Sequence, residues 1–243
     1  MRDSIWPLRK NYNHMKYIIV GIGNFGGYLA KRLTNLGHEV IGVDTSESRI
    51  EMIKDSITHS IVMDATDQAA VKNLPLKDTD VVIIAIGEDI GASIMSTAIF
   101  KQLKSKRIIA RAINDLHETV IQAIGVDEII HPEEETADRL SKRLEMKGVL
   151  DSLEISDEYN IVEVKVPKRY LEMTVAEADI RKEYYLNILT VIKIEQKKNL
   201  LGINTPHKNV IGVVTPDYKF APEDILLLFG KIKNIQDFLH LGD

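Results

Sequence analysis

Short β-rich apolar runs recur along the first half of the chain, at Tyr17–Val20, Val40–Val43, Ser60–Met63, Val81–Ala85, Arg107–Ala110 and Glu128–Ile130. Between them the apolar positions change to a helical period, as in Phe25–Leu36, Glu47–Asp55, Ile90–Leu103 and Leu116–Ile124. Strands alternating with helices predict βαβ units and a parallel sheet covered on both faces. Six strands fit a doubly wound, Rossmann-like sheet of order 3-2-1-4-5-6. The rhythm changes after His131. Thr136–Met146 reads as an amphipathic helix that Gly148 ends. From about Glu154 a small α+β pattern follows, in which "NIVEVKV", "NILTVIKIEQ" and "DILLLFG" read as strands. "TVAEADIRKEY" and the closing "KIKNIQDFLH" read as helices, and "KKN" as a hairpin turn. The expected organisation is a mobile tail over 1–14, a nucleotide-binding domain over 15–134, a connecting helix over 135–153 and a C-terminal domain over 154–243.

Composition narrows the classes. With 243 residues, 44% hydrophobic and 28% charged, the chain has the makeup of a globular protein with one large or two small cores. A formal charge of −5 leaves no basic excess to neutralise nucleic-acid phosphates. The absence of cysteine removes disulfides, thiolate metal sites and thiol nucleophiles. No apolar run is long enough to span a bilayer, and the first 14 residues lack the apolar stretch of a signal peptide. A cytoplasmic protein is expected, with any membrane role exercised through a partner; Met15 is an alternative start.

The densest chemistry lies in "GIGNFGG". Gly21, Gly23 and Gly26 form G-x-G-x-x-G between a strand and a helix. The first glycine permits the turn, the second admits phosphate to the backbone, and the third lets helix and strand pack closely. Ile22, Asn24 and Phe25 complete the loop, and the helix that starts there offers free N–H groups to an anion. Asp44, about twenty residues on at the end of the next strand, suits a carboxylate that accepts two ribose hydroxyls and disfavours a 2′-phosphate. Thr45 follows it. Three further strand ends border the same crevice. At the first, Met63–Thr66, Asp64 and Ala65 suit the reading of an adenine edge; Ile86 and Gly87 suit a close approach of backbone to ligand, and Arg111 suits pairing with phosphate. The alternative for Arg111 is a salt bridge to an acid at the sheet edge.

A nicotinamide enzyme would also need a proton donor beside the ring. His207 in "NTPHKNV" reads as a loop residue, and His240 lies near the chain end. His59 and His117 read as surface or capping residues, while Lys197, Lys198, Lys231 and Lys233 read as solvated charge. No nucleophile elbow, zinc-protease helix or Walker sequence is present. The expectation is a protein that binds a nucleotide without transforming it.

The runs "VGIGNFGGYLAKRL", "GHEVIGVD", "DATD", "VVIIAIGED", "IGVDEIIHPEEETA" and "APEDILLLFGK" resemble the regulator of potassium conductance (RCK) family. These are the cytosolic gating subunits of Ktr and Trk potassium-uptake systems, with TrkA-N and TrkA-C lobes, and the Ktr branch is the closer likeness. The resemblance implies a non-enzymatic homo-oligomer, dimers assembled into an octameric ring, docked beneath a membrane-embedded potassium-conducting subunit. ATP, ADP, AMP or NAD(H) would bind the first lobe through Gly21–Gly26, Asp44, Asp64–Thr66, Ile86 and Arg111 and change the ring's shape. Many Ktr-type members carry Arg where this chain has Asn24. That departure implies weaker discrimination of ATP from ADP, since Asn brings hydrogen bonds but no charge. Glu133 matches a family position that holds a divalent cation, Mg²⁺ or Ca²⁺, between two copies; ordinary helix-start chemistry explains it equally. Some relatives bind cyclic di-AMP in the C-terminal lobe, against which stands a plain dimerisation lobe. The alternative functions are an NAD-dependent oxidoreductase with a small substrate domain and a nucleotide-responsive module for another partner.

Overall fold

The computed structural model describes residues 14–145, 148–198 and 204–240, which form two compact units divided between Pro132 and Glu133. Of the tail expected over residues 1–14, residues 1–13 lie outside the described residues.

In the first unit the elements run β1 (Lys16–Val20), α1 (Asn24–Asn35), β2 (Glu39–Asp44), α2 (Glu47–Ile53) and β3 (His59–Val62), then α3 (Gln68–Val71), β4 (Val81–Ile84), α4 (Ile90–Gln102), β5 (Ile108–Arg111), α5 (Asp115–Ile124) and β6 (Glu128–Ile130). The six strands are parallel in the order β3-β2-β1-β4-β5-β6, as the strand and helix rhythm predicts. Alternation along each strand splits its apolar residues between two cores. Ile18, Val20, Ile41, Val43, Val82 and Ile84 meet Val71, Phe100 and Ile121 of α3, α4 and α5. Ile19, Val40, Val81 and Ile83 meet Ala30, Ile50 and Ile53 of α1 and α2. Each fully buried side chain of this size contributes about 1.5–3 kcal/mol. The short helix α3 was not expected from the pattern; Asp67 starts it by accepting the Ala69 N–H at 2.8 Å.

The second unit contains α6 (Pro132–Glu145), β7 (Val149–Glu154), β8 (Tyr159–Lys165), α7 (Val175–Ala178), α8 (Ile180–Tyr184), β9 (Asn187–Lys198), β10 (Asn204–Val210), β11 (Ile225–Lys231) and α9 (Ile232–His240). Its strands form an antiparallel sheet of order β10-β9-β11-β8-β7. Val162, Val164, Leu226 and Leu228 face a core closed by Tyr170, Ile180, Tyr184 and Phe238.

Several expectations need correction here. "NTPHKNV" is the strand β10, not a loop, and it carries His207. It lies at the sheet edge, where the missing N–H of Pro206 is tolerated. Lys197 and Lys198 continue β9 rather than turning, and Asn199 lies outside the described residues. The helical stretch at Thr174–Tyr184 is broken at Asp179, whose φ of 41° is left-handed. α6 begins at Pro132, four residues earlier than its apolar pattern suggests, and Val149–Glu154 pairs with β8 where the sequence reads as connector.

Candidate functional site

β1 pairs with β2 on one side and β4 on the other, so the strand order reverses at β1 and a crevice opens beyond the strands' C-terminal ends. The glycine loop lies there. Gly21 has φ +95°, and a Cβ on it would stand 2.8 Å from the Ile86 nitrogen. Gly26 packs so closely that a Cβ would overlap the Gly21 carbonyl oxygen. Gly23 differs from both, because nothing lies within 4 Å of its missing Cβ. Two glycines close the turn, and the third leaves space above the backbone.

The start of α1 differs from the other helix starts around the sheet. Ser46, Asp67, Asp89 and Asn114 each cap their own helix through a side-chain oxygen. Gly23 gives α1 no side-chain cap, and no acid stands in its first turn. The N–H groups of that turn and the positive end of the helix dipole therefore face the crevice without a built-in counter-charge. Asn24, the first helical residue, is exposed there.

Asp44 ends β2 and is 7% exposed. Its Oδ2 accepts the Ile22 N–H at 2.7 Å, and its Oδ1 accepts the Ser46 N–H at 2.8 Å. The carboxylate thereby fixes the loop and keeps outward lone pairs for hydroxyl donors. Thr45 beside it is exposed. At the end of β3, Asp64 Oδ1 accepts both the amide (2.8 Å) and the hydroxyl (2.7 Å) of Thr66. These bonds hold the Asp64 carboxyl below its usual range, the hydroxyl contributing most. Ala65 behind it is buried.

The ends of β4 and β5 converge on one guanidinium. A Cβ at Gly87 would stand 2.6 Å from Arg111 Cζ, and the same guanidinium lies 5.9 Å from the centre of the Phe25 ring. Gly87, read from sequence as a point of close backbone approach to ligand, makes room here for Arg111. Phe25, from the glycine loop itself, supports the same group.

Arg49 and Glu88 were not singled out from the sequence. Arg49 Nη2 donates to both Glu88 oxygens, at 3.1 and 3.0 Å, and its Nη1 lies 3.7 Å from Asp44 Oδ2. Its pKa stands above the usual arginine value, first through the Glu88 hydrogen bond and then through the charge of Asp44. The signal was present in the N-cap Ser46, which places the third helical residue of α2 back over the end of β2.

The other titratable groups singled out from the sequence have surroundings of their own. His117, expected at the surface or as a cap, is 1% exposed. Its Nδ1 accepts the Ile113 N–H at 3.2 Å, and burial pushes its pKa down. It is inside because α5 starts tightly on Asn114 and turns the 117/121 face towards the sheet. His59 begins β3, so it lies at the opposite end of the sheet from the crevice, beside a depression also lined by His14 and His38. Lys231 pairs with Glu158 at 2.7 Å, and His207, Lys233 and His240 are exposed. Glu133 is exposed in the first turn of α6, beside Glu134 and Glu135. Among the described residues no group of three or more His, Asp or Glu side chains is arranged to hold a metal ion. No helix among them is long and apolar enough to cross a membrane.

Comparison with known proteins gives consistent matches. The TrkA-N domain family matches residues 17–132. The Ktr system potassium uptake protein C of Bacillus subtilis is 35% identical over 92% of this chain and 95% of its own length. The Ktr system potassium uptake protein A of Vibrio alginolyticus is 30% identical over 85% of this chain and 94% of its own. Among solved structures, the GsuK channel superposes on 96% of this chain with a TM-score of 0.62 at 15% identity, and the GsuK channel bound to NAD with 0.57 at 15%. The chain spans 40% of each of those channel chains, and at this identity the likeness is one of fold.

Proposed function

Because this chain belongs to the family of Ktr system potassium uptake proteins, we propose that it is the nucleotide-sensing regulatory subunit of a potassium-uptake system and carries out no reaction of its own. The observation that carries this reading is the match to potassium-uptake proteins along nearly the whole of both chains. The crevice supports the nucleotide part: an uncapped α1, open space over Gly23, and a buried Asp44 with outward lone pairs suit an adenine nucleotide such as ADP, ATP, AMP or NAD(H). Gly21–Gly26 and Arg111 would hold its phosphates, Asp44 and Thr45 its ribose, and Asp64–Thr66 with Ile86 its base.

Such a protein acts by differential affinity. A ligand moves the partner subunit only so far as it binds one conformation of the assembly more tightly than another. The partner would be a membrane-embedded potassium-conducting subunit, and the sensing assembly a ring of copies of this chain at the inner face of the membrane. A ring suits the task because identical interfaces shift together. Glu133, exposed at the start of α6, would repel its counterpart in a second copy unless Mg²⁺ or Ca²⁺ joined them. Neither His117, buried against the Ile113 amide, nor His59, at the far end of the sheet, is placed to donate a proton in the crevice.

The direct test is potassium uptake in a transport-deficient cell expressing the membrane subunit with and without this protein, alongside calorimetry with ADP, ATP and NAD. Uptake that depends on this protein, with nucleotide bound and unchanged, is expected. A monomer that oxidises a metabolite with bound nicotinamide overturns the reading. Asn24 in place of an arginine supports similar affinities for ATP and ADP, and a strong preference for ATP counts against that part alone.

A further inference from the structure

We propose that Arg49 and Glu88 form a strap across the crevice mouth that an entering nucleotide displaces, so that this pair sets nucleotide affinity. The inference rests on the nucleotide-binding reading above. Arg49 follows β2 and Glu88 follows β4, the two strands that flank β1. Strands two places apart in a sheet stand about 10 Å from each other. The contact between the two side chains therefore passes over the end of β1, where the glycine loop begins.

The strap and the ribose position compete for one carboxylate. The amides of Ile22 and Ser46 take lone pairs of Asp44 from within the fold. The Asp44 side chain is 6% exposed, and Arg49, 35% exposed, lies on its outer side with Nη1 3.7 Å from Oδ2. A ribose diol needs the outward lone pairs that Arg49 covers. The guanidinium is a rigid plane, and its Nη2 is bonded to both Glu88 oxygens. Turning Nη1 away from Asp44 turns the same plane that carries Nη2, so the Asp44 and Glu88 contacts are coupled. Occupancy of the crevice is thereby linked to release of the segment that leads from β4 into α4.

The test is calorimetric titration of the intact protein with ADP, comparing wild type and Glu88→Gln at low and high salt. The Glu88 side chain is 82% exposed, so its replacement leaves the core untouched. Because an exposed ion pair of this kind couples weakly, Glu88→Gln is expected to bind ADP about two- to five-fold more tightly at low salt. The difference should close as salt screens the pair in the wild type. Equal or weaker binding by the variant at low salt overturns the strap while leaving the nucleotide site standing. Absence of ADP, ATP and NAD binding by both proteins overturns the nucleotide reading, and the strap with it.

Discussion

The Asp44 carboxylate accepts the Ile22 amide at 2.7 Å, so the residue that ends β2 also fastens the second position of the glycine loop. One side chain fastens the fold inward and, on the proposed function, would take the ligand outward. Asp44→Asn keeps a single acceptor oxygen and turns an NH₂ towards one of the two amides. It is expected to cost about 1–3 kcal/mol of stability. Nucleotide affinity should fall about ten-fold or more, because hydroxyl bonds to a charged acceptor are lost. Thermal denaturation and ADP calorimetry on the same preparations measure both effects; unchanged affinity would remove Asp44 from the binding site.

The glycines of the loop should separate stability from binding. Gly26→Ala forces a methyl against the Gly21 carbonyl and to 3.1 Å from Ala85 Cβ, neither of which yields easily. A loss of about 1–3 kcal/mol or more is expected. Gly23→Ala meets nothing within 4 Å, and its φ of −75° suits any residue. Alanine is the poorer N-cap by about 0.5–1 kcal/mol, so its melting temperature should fall by no more than about 4 °C. Its methyl would nevertheless occupy the space through which a phosphate reaches the backbone, so ADP binding should be lost. Full ADP binding by Gly23→Ala contradicts the placement of phosphate there.

Both the sheet and the loop were legible because their signals are local. Short continuous apolar runs such as "YIIV" and "VVII", and glycines spaced around one turn, report the structure within a few residues. β10 was not legible: "NTPHKNV" has no apolar alternation and contains a proline, and only its place at the edge of a sheet makes it a strand. Arg49 and Glu88 are 39 residues apart and meet only because β1 lies between their strands. His117 beside an N-cap asparagine reads as a surface residue; α5 buries it by packing on the sheet. Tertiary neighbours, rather than local pattern, decide such positions.

Gly87 and Arg111 should act as one unit. A methyl on Gly87 would fall 2.6 Å from the Arg111 Cζ, and the flexible arginine would give way. Gly87→Ala is therefore expected to fold normally yet to weaken ADP binding as much as Arg111→Ala does. The double variant should bind no worse than either single one, since each removes the same guanidinium from the same place. Additive losses in this cycle would show that Gly87 meets the ligand directly.

His117 makes the first unit sensitive to mild acid. The Ile113 N–H occupies its Nδ1 at 3.2 Å, which leaves the proton of the neutral ring on Nε2, and burial lowers its pKa below the ordinary 6.5. In the unfolded chain the imidazole takes up a proton near pH 6.5, whereas in the folded chain it resists until lower pH. The unfolded state then binds more protons, so stability rises with pH through this window. The contribution is fully present above pH 6.5 and is lost progressively as pH falls from there towards the folded pKa. His117→Gln keeps an acceptor for the Ile113 amide without a titrating group. The wild type should lose thermal stability between about pH 7.5 and 5.5, and the variant, less stable at neutral pH, should lose clearly less over the same range. Parallel pH profiles for the two proteins would assign the acid sensitivity to other groups.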